Sequence, residues 1–155
     1  MPKAIVTIPV YKPKYSEYEK ISLIQCCKIL NKHLFSFICP NDLDINNYEK
    51  ILKQYKINYQ IERFPPEYFT SVEKYSELLL DSTFYRRFSH YEYILTYQLD
   101  AFVFRDELEY FQITGRVVKS FWSAMYRERR PKKDCAYGLL RAWYFQSNGS
   151  NCRKI

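Results

Sequence analysis

The first 114 residues contain no glycine; the three in the chain are Gly115, Gly138 and Gly149. Glycine-rich phosphate cradles need a residue without a Cβ where the backbone meets the ligand. Both G-x-G-x-x-G and the P-loop are therefore excluded from this stretch, and any nucleotide bound there is held some other way. Histidine is almost as scarce. His33 and His90 stand far apart beside helix ends, where dipole or surface roles outweigh catalysis. The five cysteines (Cys26, Cys27, Cys39, Cys135, Cys152) are odd in number and form no C-x-x-C. A zinc site or disulfide framework is poorly supported, and reduced thiols in a cytoplasmic protein fit better. No apolar run reaches membrane-spanning length, and the N-terminus lacks the apolar core of a signal peptide.

What is present is a chain of 155 residues, long enough for one domain with a real core. Apolar residues make up 47% and aromatic residues 19%, so disorder is not expected over most of it. Charge divides it at Gly115. Residues 1–115 carry a net charge of −1 and residues 116–155 one of +8. The basic character belongs to the tail.

The pattern before Gly115 alternates strand and helix. Lys3 to Val10 is a near-continuous β-branched run, as in a strand covered on both faces. Pro9 cannot donate to a ladder, so pairing weakens there. Ser16-x-x-Glu19 is a capping box, and Leu23, Cys26, Cys27 and Leu30 follow on one helical face. Leu34 to Cys39 reads as a second strand stopped by Pro40. Asn46 opens a helix with Tyr48, Ile51, Leu52 and Tyr55 inward. Tyr59 to Phe64 reads as a third strand, ended by Pro65-Pro66. Ser71 starts a helix with Val72, Tyr75, Leu78 and Leu79 inward, and Ser82 caps a short aromatic helix. Glu92 to Leu99 is a fourth strand, and Asp106 caps a helix that Gly115 ends. The order implies an α/β domain whose mostly parallel sheet is flanked by helices. Periodicity then fails. Arg116 to Tyr126 includes one further strand-like run, Arg127 to Lys133 is a basic loop, and Tyr137 to Phe145 fits a short helix or strand.

Asp100 follows the fourth strand and precedes the apolar run Ala101 to Phe104. A carboxylate there must be solvated, hydrogen-bonded or bound to a cation. Ligands of open α/β sheets gather at the carboxyl ends of the strands. Asp100 is thus the leading functional residue, with a turn or cap role equally compatible with its spacing.

Three stretches carry a resemblance. They are I-V-T-I-P-V-Y-K at Ile5 to Lys12; E-R-F at Glu62 to Phe64 with Tyr68-Phe69 and Y-S-E-L-L-L at Tyr75 to Leu80; and Phe84 to Tyr110, which contains Y-I-L-T-Y-Q-L-D-A-F-V-F-R-D. Together they resemble an uncharacterised bacterial domain found alone or beside glycosyltransferases in surface-polysaccharide loci. That domain is itself similar to the nucleotide-binding half of the GT-A, Rossmann-like fold. The resemblance spans residues 3–115 and implies a nucleotide-sugar donor site. Pro9, Val10, Tyr11 and Lys12 would lie against the donor, with Glu62 and Gln98 also at the site. Asp100 would be the first carboxylate of a D-x-D motif that holds Mn²⁺ or Mg²⁺. Phe102 stands where the second carboxylate would be. Tyr11 and Tyr75 offer faces for a base, although tyrosines in such stripes more often pack. A salt bridge to Arg63 or a neighbouring lysine outweighs a site role for Glu62, and Lys12 can face phosphate or water.

Two function classes follow. In one, the chain transfers a sugar from a nucleotide donor to a glycan acceptor, with a catalytic base that the sequence does not identify. In the other, residues 1–115 are a donor-binding half-domain and residues 116–155 an atypical tail left by truncation or a frame shift. The protein would then be a non-catalytic nucleotide- or polyanion-binding module. Nucleic-acid binding is not expected, since basic, unpatterned ends are common without it. The break at Gly115 predicts that limited proteolysis cuts first between Arg116 and Lys133. An earliest cut within the first helix would contradict this division.

Overall fold

The near-continuous apolar runs become strands buried on both sides, and the amphipathic stretches between them become the covering helices. The computed structural model describes residues 4–108 and 143–146. In order these form β1 (Ala4–Pro9), α1 (Glu17–Ile29), β2 (Leu34–Pro40), α2 (Asn46–Gln54) and β3 (Tyr59–Phe64). A 3₁₀ turn at Pro66–Phe69 leads to α3 (Val72–Leu80), α4 (Ser82–Arg87), β4 (Tyr93–Thr96) and then β5 (Trp143–Gln146). The sheet order is β3-β2-β1-β4-β5. β1 to β4 are mutually parallel, and β5 lies antiparallel on β4. The expected α/β class with a mostly parallel sheet is therefore found.

Period-two alternation sends the strand side chains into two cores. Val6, Ile8, Phe35, Phe37, Leu95 and Tyr97 meet Leu23, Cys26 and Cys27 of α1 and Tyr48, Ile51 and Leu52 of α2. On the other face Ile5, Ile38 and Ile94 meet Leu78 of α3 and Phe84 of α4. That second face also carries a buried polar row, in which Ser36 and Thr96 flank Thr7. Thr7 Oγ1 lies 3.1 Å from Thr96 Oγ1 and 3.3 Å from the Leu95 carbonyl oxygen, which ties β1 to β4 through side chains as well as backbone.

Local signals decide most boundaries. The Ser16 hydroxyl accepts from the Glu19 amide while the Glu19 carboxylate accepts from the Ser16 amide, completing the capping box of α1. Ser71 caps α3 in the expected way. Two caps lie elsewhere than expected. Asp44 Oδ1 accepts from the Asn46 amide at 2.9 Å, so Asn46 is already helical. Asp81, not Ser82, caps α4 through the Thr83 amide at 2.8 Å. In both cases an aspartate oxygen accepts from the backbone amide two residues on, but only Asp81 is itself the N-cap; that of α2 is Ile45, which makes no side-chain cap. Val72, the first residue of α3, is 66% exposed, not inward as expected. Pro40 belongs to β2, where its carbonyl and φ suit an extended residue.

With glycine absent, α2 ends on a lysine in the left-handed region. Lys56 has φ 56°. The Ile57 amide bonds the Leu52 carbonyl at 3.0 Å and the Lys56 amide bonds the Lys53 carbonyl at 3.1 Å, the paired bonds of a Schellman cap. A Cβ in that conformation costs about 1–2 kcal/mol, partly offset by the greater freedom glycine would bring to the unfolded chain. Lys56→Gly is expected to stabilise the protein by up to about 1 kcal/mol, read as a higher midpoint in urea with an unchanged slope.

The helix expected after Asp106, the strand-like run before Tyr126, the basic loop and the cut site between Arg116 and Lys133 lie outside the described residues. Within the segment Tyr137 to Phe145, Trp143 to Phe145 are strand.

Candidate functional site

From β1 the chain steps to β2 and β3 through α1 and α2 on one face. It then returns past both strands through α3 and α4 on the other, to reach β4. The direction of winding reverses between β1 and β4, and the crevice beyond their carboxyl ends is where such sheets bind ligands. Pro9, Val10, Tyr11 and Lys12 leave β1 there, and Gln98 and Asp100 follow β4.

One missing hydrogen ends the β1–β4 ladder. Peptide groups along a strand point alternately to its two neighbours. The Val10 amide bonds the Ile38 carbonyl of β2 at 2.8 Å, and the Thr7 carbonyl accepts from the Tyr97 amide at 2.8 Å. Pro9 is the next residue of β1 with its peptide group toward β4, and it has no N–H to give. Pairing therefore stops after Thr7 and Thr96. This is why β4 ends at Thr96, short of the expected Leu99, and why Asp100 sits in a turn beyond the strand rather than at its last residue.

That turn is closed by the Ala101 amide donating to the Gln98 carbonyl at 2.9 Å, which leaves Asp100 exposed and Gln98 half-buried. The Ala101 carbonyl is gripped from below. Tyr97 Oη lies 2.9 Å from it, Ser22 Oγ of α1 donates to it, and the two hydroxyls are 2.8 Å apart. Both side chains are buried, and burial pushes the Tyr97 phenol far above its ordinary value, so it stays protonated. Further on, Gln25 Nε2 donates to the Val103 carbonyl at 3.1 Å. His33 Nε2 meets both oxygens of Asp106 at 3.0 and 3.1 Å, while Asp106 Oδ1 also accepts from the Leu108 amide at 3.3 Å. Asp106 thus holds the amide two residues on and His33 together.

The loop on the β1 side is as firmly held. Tyr48 Oη donates to the Lys12 carbonyl and Asn47 Nδ2 to the Pro13 carbonyl, each at 3.1 Å. Lys12 Nζ lies 2.8 Å from Glu19 Oε2 and 5.7 Å from the centre of the Tyr11 ring. Tyr11 is 61% exposed, an open aromatic face at the rim.

Glu62 and Tyr75 stand apart from this group. Glu62 pairs in register with Ile38, itself in register with Pro9, so it lies two strands away, about 10 Å at the usual strand spacing. Its carboxylate is taken by Arg87 Nη1 of α4 at 3.0 Å, not by Arg63 or a lysine. Arg87 also lies over the Phe64 ring at 4.1 Å. Arg63 instead bonds the carbonyls of Pro40, Asn41 and Leu43. Tyr75 lies on α3 in the opposite core, against Phe69, its hydroxyl buried without a hydrogen-bond partner among the described residues.

Among the described residues no group of three or more His, Cys, Asp or Glu side chains could cage a metal. Phe102 packs edge-on to Phe104 with ring centres 5.1 Å apart and supplies no ligand. One exposed carboxylate suits Mg²⁺ or Mn²⁺ arriving on phosphate oxygens and keeping its waters, the way small hard cations usually bind.

The architecture is that of an open α/β sheet whose winding reverses between β1 and β4, with no glycine among the described residues. The chain is similar over residues 58–128 to the family described as a protein of unknown function (DUF5672). That stretch contains Glu62, Tyr75, Gln98 and Asp100 but not the loop after β1. No curated protein matches the chain. Among the described residues no helix is long and apolar enough to cross a membrane.

Sequence reasoning missed Ser22, Gln25 and Tyr97, whose partners outside their own turn lie more than 70 residues away. Ser22 on the apolar stripe of α1 was the one available signal.

The Lys12–Glu19 pair gives the rim loop a pH dependence. Burial, the largest single influence on Glu19, pushes its carboxyl up. Hydrogen bonds from Lys12 and Ser16 together outweigh burial and hold it below the ordinary carboxylate range. A lowered folded value contributes stability that is complete above the unfolded value and lost as pH falls through the folded one. Glu19→Gln is therefore expected to lower Tm at pH 7, with the gap to the natural protein closing as pH falls below the ordinary glutamate range. A gap that stays constant down to pH 3 would contradict it.

Proposed function

We propose that the chain binds a nucleotide-sugar donor in the crevice between β1 and β4 and serves transfer of the sugar to a glycan acceptor. The observation that carries this reading is the divergence of β1 and β4 at Pro9, which leaves an exposed aromatic ring and an exposed carboxylate on the two sides of one switch point. Tyr11 would stack on the base. Lys12, paired with Glu19, would exchange that partner for a phosphate oxygen. Asp100 would hold the cation that travels with the diphosphate. That cation neutralises charge on the leaving nucleoside diphosphate. The resemblance of Ile5 to Lys12 and Phe84 to Tyr110 to a GT-A-like domain supports the same reading. No residue among those described is assigned as the catalytic base.

The test is titration of uridine and guanosine diphosphates in Mn²⁺, with and without chelator, followed by sugar-nucleotide hydrolysis and transfer assays. Asp100→Asn is expected to weaken the metal-dependent binding by roughly 10-fold or more, as loss of a charge-assisted ligand does. Equal affinity in the two proteins, or affinity indifferent to chelator, would remove Asp100 from the site. Binding of neither nucleotide, with or without an attached sugar, would refute the reading as a whole.

A further inference from the structure

We infer that Ser22 and Tyr97 are positioning residues for Asp100: their buried hydroxyls clamp the Ala101 carbonyl and so fix the turn that presents the carboxylate to a metal-bound diphosphate. This rests on the donor-binding reading above and adds two residues to it. Ala101 is the anchor because both of its peptide groups are engaged. Its amide closes the turn on the Gln98 carbonyl at 2.9 Å, and its carbonyl meets Tyr97 Oη at 2.9 Å and Ser22 Oγ. Asp100 directly precedes this anchor, inside the turn that the Ala101 amide closes, and is exposed.

The clamp has a proton count. Two hydroxyls offer two hydrogens to four oxygen–oxygen contacts, the fourth between Tyr97 Oη and the Ser22 carbonyl at 3.4 Å. Either both donate to the Ala101 carbonyl, or one donates to the other and the other to that carbonyl, or Ser22 donates to it while Tyr97 turns to the Ser22 carbonyl. In each arrangement the hydroxyl that remains after loss of the other can still donate to the Ala101 carbonyl. Ala101 is buried, so loss of both leaves its oxygen without a partner in a dry core. The turn must then shift toward water, and Asp100 with it. Ser22 lies on α1 and Tyr97 beyond the end of β4, so the clamp ties the turn to a rigid helix rather than to another loop, as precise sites require.

The discriminating quantity is the metal-dependent increment in nucleotide affinity, the ratio of uridine or guanosine diphosphate binding with Mn²⁺ to binding with chelator. The double variant Ser22→Ala/Tyr97→Phe is expected to lose roughly 10-fold to 100-fold of that increment, the usual effect of losing an outer-shell partner. Its metal-free binding should stay near that of the natural protein. Tyr97→Phe alone, which leaves Ser22 donating, should lose a smaller part. Leu78→Ala, which truncates the opposite core, is the control for instability and should keep the increment whole. An increment that survives in the double variant overturns the inference while leaving the donor site standing. If the double variant does not fold, an unchanged increment in Tyr97→Phe overturns it. An increment lost equally in Leu78→Ala also overturns it. No increment in the natural protein overturns the donor-site reading and this inference with it.

Discussion

The amide hydrogen that Pro9 lacks governs the shape of the whole upper edge. β1 holds β4 through the Thr7 carbonyl, the Thr7 hydroxyl and their partners at Leu95, Thr96 and Tyr97. One pleat later the next donor toward β4 is absent, and the strands part. On the β2 side nothing is lost, because the Val10 amide still reaches Ile38. The same proline that frees one neighbour thus leaves the other bonded, and the β1–β4 ladder ends at the switch point. A chain with no glycine before residue 115 uses an imino acid for a task often given to a residue without a side chain.

Two cores of different character sit on the two sides of this sheet. The α1–α2 side is aliphatic and sulfur-rich near the helices, and its tyrosines at Tyr48 and Tyr97 send their hydroxyls outward to loop carbonyls. Those two phenols are the structural link between packing and rim. Each buries a ring while its oxygen fixes the backbone beside a candidate ligand residue, Lys12 in one case and Asp100 in the other. The α3–α4 side is more aromatic and is fastened to the edge strand by Arg87, which joins Glu62, the Arg63 carbonyl and the Phe64 ring. An arginine suits this position because its planar fork can donate to oxygens and stack on a ring together.

Much of this was legible in the residues, and the failures are instructive. Ser16 and Glu19 specify their helix end locally, and the structure bears them out. Cys26 and Cys27 were read as core and are core. The weakened pairing at Pro9 was also anticipated, but not its consequence. The run Glu92 to Leu99 looks like one strand because β propensity does not record where the partner strand stops offering donors. Val72 fits the apolar stripe of α3 but is exposed, since periodicity gives a face and not the extent of what covers it. Glu62 is charged at a strand end, as a rim ligand would be, yet its partner comes from α4, which no pattern in β3 reveals. The clamp on Ala101 was invisible for the same reason: hydroxyls in an apolar stripe carry no label for a carbonyl more than 70 residues away.

Burial leaves Cys26, Cys27 and Cys39 all but closed to solvent, and pushes all three thiols above the ordinary range. Thiolate is the species that alkylating agents and peroxides attack. These sulfurs therefore gain reactivity only when α1 or β2 opens. Their modification rate is a clock for that opening, with two hands on the helix and one on the strand beside β1. Oxidation at these sites is therefore expected to report the fraction that has already come apart.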